Sequence, residues 1–477
     1  MENYEKLRAA GYLEKYSIAR HPLGFYYNVG VTATYTLPET YTRPLRDYVY
    51  KACEILIGQH PALSAVPVNE ESDEAYFVRL PEIDLAQPVS FHKRLRGFPE
   101  GDATDKELDE FLQTQHSTGF TTPGAPYWRL AIFTADDEDN DDASARRRFT
   151  AAYIFHHALG DGTSGKIFQQ TFLEALTAAG SALNSAAPGG EGATQIVATP
   201  AGTPLPPNLE AAHPCGISLP FLLGAVVKMK FGGRDRGLWT GAPVFTPLEA
   251  RARHLVIPAA VSAAFRQSCR RNGATVTAAV QAAMAQALFA HLPPQCTKLR
   301  LTGAISVRKW LTQPIPEKSL GVWVMDFGES YWRKGLPVTD AGAFPWKEAQ
   351  RSRETIERVV AMKGKNTGVN LLKYVSGFSE FFRSKLGKPR GESIELSNIG
   401  VLSASDEARS DPSKPQMGRV IFSQSPNAAG AAIVVSAISG GDGCLVLSFG
   451  WQQGVVEPEL VSGTIDSVEK LVHLAAQ

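Results

Sequence analysis

The 477-residue chain predicts an α/β protein of the α+β kind, built as two lobes that each carry a mixed sheet flanked by helices. Three observations carry that expectation. The length exceeds what one hydrophobic core usually serves, so at least two domains are expected. Segments with the two-residue period of strands alternate with segments of helical period in both halves. Between about 183 and 207 the composition shifts to Gly, Ala, Pro, Ser and Thr (SAAPGGEGATQIVATPAGTPLPP), which reads as a linker. The expected division is residues 1–185, a linker or crossover at 186–215, and residues 216–477.

In the first half, residues 29–37 (VGVTATYTL) alternate and are rich in β-branched side chains, the pattern of a strand. A helix is expected over 44–57. Pro44 suits a first turn, and Leu45, Val49, Ala52, Cys53 and Leu56 recur on one face. His60-Pro61 ends it, because proline disfavours helix at the residue before it. Residues 128–134 (WRLAIFT) and 149–155 (FTAAYIF) read as strands. The acidic run 135–142 between them repels itself and reads as a solvated hairpin tip. It lacks the glycine and distal glutamate of a calcium loop. A helix opens after Gly162 and runs to about 179. Residues 217–231 (ISLPFLLGAVVKMKF) contain Pro220 and Gly224 and end with Lys228 and Lys230. They are too short and too charged to span a bilayer, and read as a buried helix or the wall of an apolar pocket.

In the second half, strands are expected at 254–257, 298–307, 322–327, 431–437 and 444–449. Helices are expected at 258–272, at 278–291 and from about 457 onward. The glycine-rich Ser439-Gly440-Gly441-Asp442-Gly443 lies between two strands and reads as a hairpin turn, not a phosphate cradle.

Bulk properties narrow the partners. Lys+Arg and Asp+Glu both number 48, so no charge excess draws the chain to nucleic acid. The five cysteines, Cys53, Cys215, Cys269, Cys296 and Cys444, are scattered without a Cys-x-x-Cys pair, which argues against a disulfide framework or a zinc cluster. No dinucleotide glycine motif follows a strand, and no metal or redox cofactor is expected. The opening Met1-Glu2-Asn3-Tyr4-Glu5-Lys6 has no apolar signal core, so a cytoplasmic protein without a transmembrane segment is expected.

The chemistry concentrates in His156-His157-Ala158-Leu159-Gly160-Asp161-Gly162, set between a strand and a helix. Histidine titrates near neutrality, so it can take a proton and return it. Adjacent strand-end residues point to opposite faces, so only one imidazole can meet a channel; His157 is the candidate base and His156 the structural partner. Asp161 is expected to fix the turn and pair with an arginine, while Gly160 and Gly162 let the backbone turn tightly.

This run resembles the His-His-x-x-x-Asp-Gly signature of the CoA-dependent acyltransferase superfamily, which includes chloramphenicol acetyltransferase and condensation domains. The nearest pattern is that of the fungal alcohol O-acetyltransferases. The segments 19–29 (ARHPLGFYYNV), 57–63 (IGQHPAL), 126–130 (PYWRL) and 273–279 (GATVTAA) are similar to that family's, and Ile305-Ser306-Val307-Arg308 resembles the superfamily's arginine motif. The likeness runs along nearly the whole chain. An intact Asp-Phe-Gly-Trp-Gly motif is missing, with only a partial echo at Ser448-Phe449-Gly450-Trp451-Gln452.

The resemblance implies two chloramphenicol-acetyltransferase-like domains meeting along a channel, His157 as base, and Asp161 held by Arg308. It implies acetyl-CoA or another acyl-CoA as co-substrate and a small-molecule alcohol as acceptor; a monomer with no bound cofactor is expected, although nothing in the sequence fixes the oligomeric state. Developing negative charge on the carbonyl oxygen needs a donor. Ser425 and Gln424 are its candidates, or else a polar strand end; Asn398 either lines the channel or makes a turn. Lys228, Lys363 and Lys365 could meet CoA phosphates, but read more simply as solvated surface lysines. Two other readings stand beside acyl transfer: a CoA-independent condensation or cyclisation in the same channel, and a non-catalytic small-molecule binder.

Overall fold

The computed structural model describes residues 4–99, 101–135, 147–185, 194–231, 235–313, 315–336, 343–402 and 411–477. The acidic run expected as a hairpin tip falls, beyond Ala135, outside the described residues. Strands and helices are numbered in chain order.

The N-terminal lobe is built on a five-stranded sheet in the order β14 (Gln416–Gln424), β2 (Val29–Thr36), β8 (Arg148–Phe155), β7 (Trp128–Thr134), β6 (Val89–Lys93). Only the β6–β7 pair is parallel. The strand expected at 29–37 is β2; it lies between β14 and β8, and only Thr34 and Thr36 escape full burial. Its Val31, Ala33 and Tyr35 join the core under α2 (Leu45–Gln59) and α4 (Gly162–Asn184), where Tyr35 Oη donates to Gln169 Oε1 at 2.7 Å. Two small sheets complete this lobe: β1 (Glu5–Ala9) with β4 (Tyr76–Arg79) and β3 (Ala65–Val68), and β5 (Glu82–Asp84) with β9 (Ile196–Ala198). Helices α1 (Tyr12–Arg20) and α3 (Lys106–His116) flank it.

The C-terminal lobe carries a six-stranded sheet. Its order is β10 (Ala250–Ile257), β16 (Leu445–Gln452), β15 (Ile433–Ser439), β13 (Ile394–Val401), β11 (Lys298–Ser306), β12 (Val324–Trp332). The Gly-rich segment 439–443 joins β15 to β16 as an antiparallel hairpin. One sheet face packs on α7 (Ala259–Arg271), α8 (Val276–His291), α9 (Trp346–Ala361) and α11 (Pro458–Ala475). Every α8 residue from Ala278 to Phe289 is buried, which its small alanines allow. The other face is small and polar by simple alternation. In β13, Ile394 and Leu396 enter the helix-covered core while Glu395 and Ser397 look toward the N-terminal lobe.

Three expectations need correction. The segment 186–215 is more than a linker: β9 pairs with β5, the Arg79 guanidinium donates to the Thr203 carbonyl, and in α5 (Leu209–Ala212) Leu209 and Ala212 are buried. Composition registers missing apolar side chains, whereas these anchors are largely backbone. The division at 185 and 216 does not separate the sheets, because β14 comes from the second half yet forms an edge of the N-terminal sheet. The apolar stretch at 217–231 is a helix, α6 (Leu219–Phe231), but not a buried one. Leu219, Leu223, Val227 and Phe231 are 67%, 55%, 56% and 79% exposed. Its apolar residues run round the helix, so one side rests on the lobe and the other faces outward. Among the described residues no single helix is long and apolar enough to cross a membrane. The short α10 (Phe378–Arg383) packs on α1.

The seat of α4 on β2 is tight enough to test. A Cβ on Gly165 would lie 2.5 Å from Val31 Cγ2 and 3.0 Å from Phe155 Cε1, both on fully packed strands. Alanine favours helix by about 1 kcal/mol over glycine, but overpacking a rigid core costs about 1–3 kcal/mol. With a clash this short the second effect dominates. Gly165→Ala is expected to lower unfolding stability, measured by urea titration, despite its better helix propensity.

Candidate active site

Strand β8 stops at Phe155 and α4 starts at Gly162, so residues 156–161 form a turn. His156 and His157 therefore follow the strand instead of alternating along it. His156 is buried, with its ring 4.8 Å from His21 and 5.5 Å from Tyr127, and its Nδ1 accepts from the Ala158 N–H at 3.1 Å. His21 Nε2 accepts from the Phe120 N–H at 2.8 Å, so its proton sits on Nδ1 and goes to Glu70 at 2.9 Å; Tyr127 Oη donates to the same carboxylate at 2.5 Å. His21, Glu70 and His156 approach closely enough to share an ion, with ligand atoms within 4.8 Å. Hydrogen bonds already occupy those of His21 and Glu70 and one His156 nitrogen, and the cluster braces the turn. Burial, with His21 nearby, pushes the His156 imidazole far below its ordinary pKa, so the ring is neutral.

His157 turns the other way. It lines a cavity of about 450 Å³ between the lobes, together with Tyr16, Arg20, Met325, Glu395 and Phe422. Its Nδ1 is buried without a hydrogen bond. Among the described residues Nε2 makes no hydrogen bond, and unlike Nδ1 it is not a closed-off buried atom, so it is the nitrogen open to the cavity that His157 lines. A proton on Nδ1 leaves the Nε2 lone pair for an incoming hydroxyl. Burial, and after it the charge of Arg20, lower the imidazole pKa to about 4, while the backbone at His157 and Gly160 and the charge of Asp161 oppose the fall. The ring is a neutral base at neutral pH. The Tyr26 ring lies 5.6 Å away.

Asp161 caps α4. Its Oδ1 accepts from the Ser164 N–H at 2.9 Å and from Arg308 Nη2 at 2.9 Å; its Oδ2 accepts from Arg308 Nη1 at 2.6 Å and from the Trp323 N–H at 3.1 Å. Ser164 Oγ and Arg308 Nη2 also donate to the Gly321 carbonyl, and the guanidinium lies 4.9 Å over the Trp323 ring. Asp161 thus belongs to one lobe and every partner except Ser164 to the other. Burial alone would raise its pKa, but Arg308 and the hydrogen bonds outweigh it and hold the carboxyl below the ordinary value.

The two glycines of the turn do a different job from the one expected. Neither has a positive φ. They provide room: a Cβ on Gly160 would sit 2.7 Å from Ser164 Cβ, and one on Gly162 would sit 2.8 Å from both Ile399 Cγ2 and Phe422 Cζ.

The oxyanion candidates divide. Ser425 does not reach the cavity; it is buried, donating to the His116 carbonyl at 2.8 Å and accepting from the Asn28 N–H at 3.2 Å. Gln424, its neighbour on β14, does line the cavity, where Oε1 accepts from Tyr26 Oη at 3.2 Å and Nε2 donates to Ser436 Oγ at 3.1 Å. Asn398 also lines it, with Nδ2 on Thr277 Oγ1 at 3.0 Å and Oδ1 accepting from the Gly400 N–H at 2.8 Å. Lys363 and Lys365 share a separate groove of about 460 Å³ with Lys309 and Trp310, whereas Lys228 lies near Arg300 and Glu392. Sequence reasoning missed Arg20, Tyr26 and Glu395. The first two lie in the family-like segment 19–29; Glu395 carried no signal beyond its place in a strand.

Removing one partner of a buried ion pair costs about 3–5 kcal/mol, because the other charge is left behind. Arg308→Ala is expected to destabilise by that amount in denaturant titration, and more than Asp161→Asn, because the charge left behind is then the 1% exposed carboxylate and not the 18% exposed guanidinium, which water can reach. In the wild type the pair's contribution is present above the ordinary carboxylate range and lost only as pH falls below it, through the lowered native pKa. In Arg308→Ala, burial raises the Asp161 pKa. The residual stability should then depend on pH in and above the ordinary carboxylate range.

No model of a known protein family matches the chain. Individual proteins do. Over 464 residues, 94% of this chain and 95% of the relative, it is 35% identical to an Aspergillus fumigatus protein described as "Probable alcohol acetyltransferase crmB". Over 484 residues, 97% of this chain and 94% of the relative, it is 24% identical to "Probable alcohol acetyltransferase FCK4" of Fusarium pseudograminearum. Among solved structures it resembles TRI3 trichothecene 15-O-acetyltransferase from Fusarium sporotrichioides, with a TM-score of 0.70 at 12% identity over 98% of this chain and 95% of the other. It also resembles the first condensation domain of the CDA synthetase, with a TM-score of 0.61 at 14% identity over 98% and 96%. Those two likenesses establish the two-lobed fold. With a relative this similar along its full length, the chain belongs to the alcohol acetyltransferase family of CoA-dependent acyltransferases.

Proposed function

We propose that the chain moves an acetyl or other acyl group from CoA to a hydroxyl of a small molecule, with His157 as the base. The observation that carries this reading is the neutral imidazole that lines the cavity between the lobes, its Nε2 without a partner among the described residues. The acceptor O–H donates to Nε2, and its proton passes to the ring as the oxygen attacks the thioester carbonyl. As the tetrahedral species collapses, the C–S bond breaks and the imidazolium gives the proton to the departing CoA sulfur. Gln424 is the preferred oxyanion donor, through the amide hydrogen not spent on Ser436.

Charge supports an orientation for the two substrates. Near Gly162, Asn398 and Ile399, Lys166 Nζ donates to the Ile399 and Val401 carbonyls, with no carboxylate partner among the described residues, and Arg308 stands beside it. The groove bearing Lys309, Lys363 and Lys365 adjoins Arg308 through the chain itself. This cationic side suits the CoA phosphates. The cavity is also lined by Asp326, Glu392 and Glu395, with Arg20 and Lys385, and we assign this wall to the acceptor. Catalysis on this reading needs no metal or redox group, and we take the chain to act as a cytoplasmic monomer.

Two measurements test it. His157→Ala should lower kcat for CoA-thiol release about 10²–10⁴-fold, the usual contribution of general base catalysis, with its unfolding transition unshifted. Undiminished turnover would refute the role. Because the base works only when neutral, wild-type kcat/KM should stay level from neutrality down to about one unit above the imidazole pKa, then fall as pH drops through about 4.

A further inference from the structure

The cavity carries charge that acyl transfer does not use. Glu395 follows Ile394 and precedes Leu396 on β13, so its side chain leaves the core and lines the wall assigned to the acceptor. It is half-buried, and among the described residues it makes no hydrogen bond or ion pair. Its two acidic neighbours on the same wall are occupied. Glu392 accepts from Thr302 Oγ1 at 3.4 Å, and Asp326 accepts from the Val369 N–H at 2.7 Å. Burial, and then the charge of Glu392, raise the Glu395 pKa to about 7; Arg20 pulls against them.

Arg20 is the second unsettled group. It is 5% exposed and lies 4.4 Å from the rings of both Tyr16 and Tyr26. Among the described residues its side chain makes one hydrogen bond, to Ser17 Oγ at 3.3 Å, its Nε is buried without a partner, and no carboxylate pairs with it. A cation and an acid thus line one cavity without touching each other, although an uncompensated buried charge is costly. An occupant that satisfies them gains what the free protein lacks.

The identity of that occupant follows from the chemistry of the wall. Three acids share that wall with Arg20 and Lys385, so it offers no excess of positive charge to hold the phosphates of CoA. A plain aliphatic alcohol would strip water from Glu395 and return no hydrogen bond, the kind of loss by which polar pockets reject apolar analogues. We propose that Glu395 is a specificity-determining residue that reads hydrogen-bond donors, hydroxyl or ammonium, carried by the acceptor beside its reacting hydroxyl. The acceptor class is then a polyfunctional polar alcohol and not an unfunctionalised aliphatic one. This rests on the acyl-transfer reading above and narrows it.

The test uses the full chain with acetyl-CoA and three five-carbon acceptors: pentanol, xylitol and aminopentanol. Thiol release and product mass are recorded for the wild type, Glu395→Leu and Glu395→Gln. The expected result is a higher wild-type kcat/KM for xylitol or aminopentanol than for pentanol. In Glu395→Leu that advantage should shrink about tenfold or more, as for loss of a hydrogen bond to a charged group. Loss of the advantage in both variants with aminopentanol identifies an ammonium donor; partial retention in Glu395→Gln with xylitol identifies hydroxyl donors. The proposal is overturned if the wild type prefers pentanol, or if Glu395→Leu scales all three acceptors alike. Absence of thiol release with every acceptor, pentanol included, overturns the acyl-transfer reading and this inference together.

Discussion

One ion pair holds the two lobes in register. Asp161 and Arg308 lie 147 residues apart and meet through two charge-assisted contacts of 2.6 and 2.9 Å. Burying a carboxylate costs several kcal/mol, and the Coulomb term recovers that only where the remaining lone pairs are also satisfied. Here they are, by Ser164 at the start of α4 and by the Trp323 backbone across the lobe boundary. The N-terminal end of α4 adds its own positive field to the same carboxylate. What the pair contributes is position more than net stability. His157 sits four residues before Asp161 on a short turn, so fixing Asp161 against the opposite lobe also fixes how the imidazole faces the cavity.

That turn leaves little freedom in the electrostatics of the base. Burial dominates the lowered pKa of His157, and Arg20 adds to it, while Asp161 works in the other direction. A low pKa keeps the imidazole neutral but makes it a weaker base. The two effects are reconciled only when substrate arrives. On the proposed mechanism, as the imidazolium forms, negative charge would develop on the thioester oxygen beside it, and each charge would stabilise the other in a site shielded from water. The pKa of the empty site therefore sets which form waits, not how well that form performs at the transition state.

Much of this was legible in the sequence, because the informative signals are local. The period of two in residues 29–37, the helical face of 44–57 and the strand-turn-helix around the paired histidines each need only a short window. What escaped depends on partners far along the chain. Nothing in residues 416–424 says that they leave their own lobe to edge another's sheet. An all-round apolar helix reads as buried whichever lobe it rests on, so the outward face of α6 was invisible. Gly160 and Gly162 suggested backbone freedom, the usual reason for glycine, whereas their reason is steric and is set by Ser164, Ile399 and Phe422. Ser425 and Gln424 are adjacent on an extended segment, and alternation sends one inward to His116 and the other to the cavity.

The same alternation explains how one sheet serves two demands. Along β13, the side chains that pack under α8 and the side chains that line the cavity are interleaved residue by residue, and β11 repeats the arrangement with Leu299 and Leu301 inside and Thr302 and Ser306 on the cavity. A change at a core position opens a void and costs stability. A change at the next position alters only what the cavity offers to a ligand. Stability and selectivity are therefore written on alternate residues of the same strands, while the turn at 156–162 and its tie to Arg308 answer to the chemistry. A fold arranged this way can exchange acceptors by substituting single cavity-facing side chains, provided that each new polar group is matched by a ligand atom, since the core behind it gives no other partner.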